Sequence, residues 1–442
     1  QLSGAAFLAS NKFALLADEP RCGKTGTAIM AADYIMAANI LVITTASGRG
    51  VWKRGFADWS AFDRTVQIVD GKKPVTADVV IVGWPSLTNP KIVAQLLARR
   101  WCLVISDEDH FAKNFDAKRT QALYGQLLDG GALLRNITAL YAHADKVWPL
   151  TGTPLPHSPA DMYPRLRALA PARLLANAEK GWPDVTKYND FLHRYCIVKM
   201  KKLSNFNRIP VVIGGRNLPE LRARIEGFIL LRTQADVGIR PPVYDTLPLV
   251  VSPASLRRAE KDLDRSAILK AATNGDTKAL EMHLGPLRRI TGEIKAEAVV
   301  EAVKDEFACG LDKIVLAYWH KGVGKILLDG LADFGVVGID GSTPPEARER
   351  NTARFQNDPK CRVFLGQIEA AGESIDLSTA AVLWFVETAF SPKSMKQMSL
   401  RITNHGQKRQ AVVKVCALEG SIDEALQASL MRLWTAIREV LK

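Results

Sequence analysis

The sequence has 442 residues, too long for one ordinary core and suited to two large domains. Nearly half the residues are apolar and both charge signs are well represented, which argues against a disordered chain; the formal net charge of +13 points toward a polyanionic partner. No apolar run approaches the roughly 20 residues that span a bilayer, and six scattered cysteines without a CxxC pair argue against a zinc ribbon or a disulfide framework and fit a reducing compartment.

Gln1 opens the chain without a methionine, so a short N-terminal piece is expected to precede it. The first half alternates short β-rich apolar runs, at 13–17, 40–44, 79–82, 102–106 and 147–150, with segments of helical spacing such as 25–36 and 90–99. That alternation predicts a parallel sheet wrapped by helices. The stretch from about 218 to 306 is charged and mostly helical, with one strand-like run at 244–251 ended by Ser252-Pro253. A second strand series follows at 314–318, 336–339, 363–366, 381–386 and 412–417. Two α/β units joined by a basic, helical bridge are therefore expected, with the boundary between Arg232 and Pro253. We divide the chain as 1–235, with a helical insert near its end, and 236–442.

The first candidate strand runs into Asp18-Glu19-Pro20-Arg21-Cys22-Gly23-Lys24-Thr25 and then a helix. A triphosphate site needs this order. Backbone N–H groups and a helix N-terminus cradle the phosphates, Lys24 places a point charge at the β/γ oxygens, and Thr25 reaches Mg2+. Asp18 stands where the usual pattern has its first glycine. Farther on, Trp101-Cys102-Leu103-Val104-Ile105-Ser106-Asp107-Glu108-Asp109-His110 reads as a buried strand ending in carboxylates. An Asp at such a strand end holds Mg2+ and the next carboxylate polarises the attacking water, the roles expected of Asp107 and Glu108. His110 is placed to contact the next motif and relay nucleotide state.

These motifs, with Leu150-Thr151-Gly152-Thr153-Pro154, resemble a superfamily-two helicase core. Lys113-Asn114, Lys118-Arg119-Thr120 and the run 81–87 resemble its Swi/Snf-like branch. Downstream, 287–292 with Lys295, 314–320, Gly341-Ser342-Thr343, Arg348, Arg350 and Phe355-Gln356 resemble that branch's second lobe. Motif V resembles 370–377, and the last motif is in register at Pro392, Gln397, Arg401 and Gly406-Gln407. With Gly215-Arg216-Asn217-Leu218 and Glu220-Leu221, the pattern is similar to the annealing-helicase type and covers nearly the whole chain.

The resemblance implies two RecA-like P-loop lobes, each a parallel sheet flanked by helices, with ATP in the interlobe cleft and nucleic acid running across both. It implies an ATP hydrolase with ATP and Mg2+ as cofactors, acting on double-stranded DNA, without zinc or membrane, as a monomer. Lys24, Asp107, Glu108 and Arg401 carry catalysis. Gln1, Asp18, Gly23, Lys24, Thr25, Gly26, Gln397 and Asp376 hold ATP; Thr25 and Asp107 hold the metal; His110, Thr151, Gly152 and Thr153 couple the motifs. Gln1 falls where the family reads adenine through a glutamine amide, which both donates and accepts.

Two departures stand out. The family's final motif has two arginines three residues apart, the second a finger on the γ-phosphate; here the second position is Asn404. Such a finger is worth about 10³–10⁵ in rate. Either Arg401 carries the role alone, or Lys408 or Arg409 substitutes, or hydrolysis is impaired. Arg21 occupies a loop position where the family has glycine.

A translocating motor grips the backbone without reading sequence, so phosphate contacts should dominate. The candidates are Thr44, Thr45, Ser47, Arg49, Trp84, Trp319 and Lys321 at strand ends, with the basic run Lys199, Lys201 and Lys202, which reads more readily as a solvated face. Trp101 and Trp384 read as core. The expected activity is ATP-driven movement on, or remodelling of, duplex DNA. Strand separation, an RNA substrate, or a hydrolysis-impaired DNA-binding clamp stay open as alternatives. The absence of an evident reader domain suits a minimal motor, cytoplasmic in a bacterium or phage-infected host, nuclear in a eukaryote.

Overall fold

The computed structural model describes residues 1–46, 48–69, 71, 73–126, 138–152, 154–155, 158–202, 208–252, 254, 277–372, 375–388 and 392–419. The chain divides into two compact units, Gln1–Thr233 and Gln234–Lys442.

The first unit opens with helix α1 (Leu2–Ser10), strand β1 (Leu15–Leu16) and α2 (Lys24–Tyr34). Next come β2 (Ile40–Thr44), α3 (Gly48–Trp59), β3 (Val66–Ile68), β4 (Val79–Gly83), α4 (Pro90–Leu97) and β5 (Trp101–Asp107). After these stand α5 (Lys118–Tyr124), β6 (Ala144–Leu150), α6 (Tyr163–Leu169), α7 (Tyr188–Tyr195), β7 (Cys196–Lys202), β8 (Arg208–Gly215), α8 (Leu218–Ile225) and β9 (Ile229–Leu230). One parallel sheet has the order β3-β4-β2-β5-β6-β1-β9. Strands covered on both faces must be apolar throughout rather than alternating; Ile40-Leu41-Val42-Ile43-Thr44 is buried at every position. Trp101, Tyr163 and Phe191 pack one face of the sheet, while Trp52, Phe56 and Trp148 pack the other.

The ladder at β1 extends past the strand itself. Leu15, Ala17 and Glu19 donate in turn to the carbonyls of Phe228, Leu230 and Arg232, so the start of the phosphate loop is zipped to the end of the unit. The basic run that includes Lys199 lies on β7, which pairs antiparallel with β8 outside the main sheet.

The second unit contains β10 (Val243–Leu249), α9 (Thr277–Ala308), β11 (Ile314–Tyr318), α10 (Lys321–Gly330), β12 (Val336–Ile339) and α11 (Pro345–Asn357). It continues with β13 (Val363–Gln367), α12 (Ile368–Ala371), β14 (Val382–Phe385), α13 (Pro392–Ser399) and β15 (Val412–Leu418). Its sheet is again parallel, in the order β10-β15-β14-β11-β13-β12. Each unit is thus a parallel sheet flanked by helices, and in such sheets functional loops gather at the carboxyl ends of the strands. No helix among the described residues is long and apolar enough to cross a membrane.

Candidate functional site

The loop between β1 and α2 is held open by specific contacts. Gly23 caps α2 with φ of 81°, and a Cβ there would collide with the Gln1 amide, so Gln1 lies over the loop. Arg21 also adopts a left-handed backbone, with φ of 72°. This gives a physical reason for glycine in the family: a side chain at that angle costs about 1–2 kcal/mol. Lys24 Nζ donates to the carbonyls of Asp18 at 2.7 Å and Glu19 at 3.2 Å. The first helical bond of α2 runs from Thr27 N to Gly23 O, so the N–H groups of Lys24, Thr25 and Gly26 precede it, as an anion cradle requires. Gly26 lies beneath the Trp59 ring.

Asp18, expected to hold ATP, is engaged inside the unit. Its carboxylate is fully buried and is held by Arg232, whose Nε lies 3.1 Å from both oxygens and whose Nη2 also donates to it. Burial pushes the thiol of Cys22 beside it up to about 12, which disfavours the thiolate.

At the end of β5, Asp107 Oδ2 accepts hydrogen bonds from Thr44 Oγ1 and Trp52 Nε1, both at 2.8 Å. Burial first, then the neighbouring Glu108 charge, raises the Asp107 carboxyl; the Trp52 and Thr44 bonds and the Lys24 charge oppose that rise. Glu108 takes a left-handed backbone with φ of 51°. Among the described non-glycine residues only Arg21, Met36, Glu108 and Asn217 have positive φ, and two of these lie in this site, where strain is expected if it is functional.

His110 Nδ1 lies 3.1 Å from Glu108 Oε2 and 3.4 Å from Thr151 Oγ1, so it touches both the acidic box and the following motif. Thr151 N donates to Leu16 O at 3.1 Å. A Cβ on Gly152 would stand 3.0 Å from Pro20 Cδ, so this position presses directly on the phosphate loop. Thr153 lies outside the described residues, as does Ser47.

Several expected nucleic-acid contacts are turned inward. Trp84 is 2 % exposed and its indole donates to the Asp107 carbonyl at 2.9 Å, so it supports the acidic strand. The Thr44 hydroxyl is committed to Asp107, and Thr45 Oγ1 accepts from Gly48 N at 3.1 Å, capping α3. All three are buried with these groups engaged inside the unit, and of them Thr44 supplies a donor to the Asp107 carboxylate. Arg49 is half-buried and reaches Ala46 O at 3.4 Å, while Lys199 is exposed.

In the second unit, Glu387 is buried and accepts from the backbone N–H groups of Trp319 at 2.8 Å and His320 at 2.9 Å, and faces His320 Nδ1 at 2.6 Å. Trp319 is half-buried, and Lys321 is exposed at the start of α10. Arg401 is buried, its guanidinium donating to Gly372 O, so it joins the last motif to motif V. Gln397 is buried beside Gly372. Asp376 Oδ1 accepts from Ser378, and Asn404 Nδ2 donates to Ser378 Oγ and, at 3.4 Å, to Asp376 Oδ2. Arg409 pairs with Asp312 and donates to Thr379 O.

Sequence reasoning missed Trp52, Arg232 and Arg165 as partners of Asp107, Asp18 and Asp109. The available signal was a carboxylate at a buried position, which demands a donor without naming it.

A phosphate-loop sequence and an acidic strand end in one parallel sheet, with a second parallel α/β unit, are the features of a P-loop-type α/β fold. A family profile, Helicase conserved C-terminal domain, matches residues 295–406. The chain is 26% identical over 438 residues to the SWI/SNF-related matrix-associated actin-dependent regulator of chromatin subfamily A-like protein 1 of Xenopus tropicalis, covering 97% of this chain and 42% of that protein. It is 24% identical over 434 residues to the DNA annealing helicase and endonuclease ZRANB3 of Mus musculus, covering 95% and 38%. It therefore spans about two fifths of those relatives' length. The Sulfolobus solfataricus SWI2/SNF2 ATPase core in complex with dsDNA is 19% identical with a TM-score of 0.44, over 96% of this chain and 88% of that one. Its ordered motifs and these relatives make the chain similar to the Swi/Snf-like superfamily-two helicases. These two animal relatives lend no support to a bacterial or phage source.

Proposed function

We propose that this chain hydrolyses ATP to translocate on, or remodel, double-stranded DNA. The observation that carries the reading is the convergence in one unit of the Lys24 loop, the Asp107-Glu108 strand end and Gly152 pressed against Pro20. The residues fit Mg2+ and ATP: one strand-end carboxylate and a helix-start hydroxyl suffice, because Mg2+ takes its other ligands from phosphates and water. ATP and Mg2+, when bound, supply the phosphoryl group and neutralise its charge.

In this reading Lys24 exchanges the carbonyls of Asp18 and Glu19 for phosphate oxygens. Thr25 and Asp107 hold the metal, with Thr44 and Trp52 orienting the carboxylate. Glu108 orients the attacking water. His110 passes the state of Glu108 to Thr151. Trp319, Lys321 and Arg49 are the contacts proposed for DNA phosphates, which the net charge of +13 favours. The relatives' printed names, a chromatin regulator and a DNA annealing helicase, support DNA as the substrate.

The test is steady-state ATPase with duplex DNA, single-stranded DNA and RNA, read alongside displacement of a third strand from a triplex. Duplex stimulation that Lys24→Ala abolishes supports the reading, while stimulation by RNA alone overturns the substrate. A second reading, a nucleotide-responsive clamp with negligible turnover, draws on Asn404 and on the commitment of Arg401 to Gly372 O. Tight ATP and duplex binding without turnover favours it.

A further inference from the structure

One buried charged pair beside the site has no part in the function above. Asp109 and Arg165 are both fully buried, and Arg165 Nε donates to Asp109 Oδ2. Asp109 Oδ1 also accepts from Ser106 Oγ at 2.7 Å and from the Tyr124 hydroxyl at 2.6 Å. Burial, then the Asp109 charge, holds the Tyr124 phenol well above its ordinary value, so it remains a donor. Arg165 Nη1 turns the other way, to Pro154 O at 3.0 Å and Asp161 O at 2.9 Å.

The two arms of one guanidinium therefore hold the acidic box and the Thr-Gly-Thr-Pro loop. We propose that Arg165, with Asp109, is a positioning pair that makes these two motifs move as one. This rests on the functional reading above. Taking both charges out of water offsets most of their attraction, so apolar residues would stabilise the fold equally well. What apolar residues lack is direction. A planar fork fixes two acceptors at set angles, and here the acceptors belong to the two motifs that flank the nucleotide. Asp109 follows Glu108, whose left-handed backbone makes its placement sensitive to its neighbours. Pro154 lies two residues beyond Gly152, which abuts Pro20 of the phosphate loop. A shift at the phosphate loop thus reaches the water-orienting carboxylate along Gly152, Pro154, Arg165 and Asp109, a path separate from His110.

The test uses the full chain, a fluorescent ATP analogue and duplex DNA. Arg165→Lys keeps the charge but not the fork, and the double variant Asp109→Asn with Arg165→Met removes the charge pair. Both are expected to bind the analogue within about twofold of wild type and to keep the KM for ATP. Duplex-stimulated kcat should fall roughly 3- to 30-fold, the range of measured coupling effects. Tyr124→Phe takes one donor from an otherwise intact pair and should lose less in the same direction; it decides the matter if the other two do not fold. Folded variants that retain full duplex stimulation show a brace only and overturn the proposal. A wild type that duplex DNA does not stimulate overturns the functional reading, and this inference with it.

Discussion

Asp107, proposed above as a metal ligand, lies in a place that disfavours its charge. Burial and Glu108 raise its carboxyl, so the fold carries a cost that is absent at low pH, where the group is protonated folded or unfolded, and is present once pH passes its folded value. Asp107→Asn removes the charge while keeping an acceptor for Thr44 and Trp52. It should raise the Tm of the nucleotide-free protein at neutral pH, with little change at acid pH, and abolish Mg2+-dependent turnover. Differential scanning calorimetry across pH checks the first, and a lowered Tm at neutral pH contradicts it. Thr44→Val separates the two roles weighed for that hydroxyl. A partner that orients a metal ligand costs about 10–100-fold in metal affinity or activity when lost. The expected result is a raised Mg2+ requirement with duplex affinity unchanged; weakened DNA binding alone would restore Thr44 to the nucleic-acid surface.

Asn404 belongs to the same scale. Its amide is tied to Ser378 and Asp376, Arg401 is committed to Gly372 O, and Arg409 to Asp312 and Thr379 O. Of the substitutes weighed for the finger, Lys408 is left exposed. Asn404→Arg should therefore raise kcat, toward the roughly 10³–10⁵-fold that a finger supplies. An unchanged kcat in stopped-flow phosphate release means that another cation already serves.

At the scale of elements, the phosphate loop carries strain that a substitution can expose. Arg21→Gly should be more stable than Arg21→Ala by about 1 kcal/mol, because only the alanine retains a Cβ at a φ of 72°. Urea unfolding of the two variants measures the difference, and equal stabilities would remove the strain argument. Elements of this kind were legible to different degrees. Ile40–Thr44 reads as a strand because four apolar residues and a β-branched threonine follow one another, and the order strand, Gly-Lys-Thr, helix declares itself because phosphate binding needs those residues in contiguous positions. Helix α3 was not foreseen: Gly48, Gly50 and Gly55 weaken its propensity, and tertiary burial of Trp52 and Phe56 outweighs that. The hairpin β7–β8 was hidden by its lysines. Partners brought from afar, such as Arg232 for Asp18 and Arg165 for Asp109, leave no local pattern, since the fold alone makes them neighbours. The inward setting of Trp84 was hidden for the same reason: a tryptophan before Pro85 looks like a loop residue until the Asp107 carbonyl arrives beside it.

At the scale of the molecule, two parallel sheets divide the motif set, with the phosphate loop, acidic box and Thr-Gly-Thr-Pro loop in one unit and motif V and the last motif in the other. The proposed motor function on DNA calls on both sets, and the net positive charge favours a salt-sensitive attraction to phosphates. The most direct measurement is the steady-state ATPase rate of the wild-type chain with and without duplex DNA, at low and high salt, beside Lys24→Ala. The account predicts a rate that rises severalfold with duplex, falls with salt and vanishes in the variant. Turnover indifferent to duplex DNA, or surviving Lys24→Ala, would contradict it.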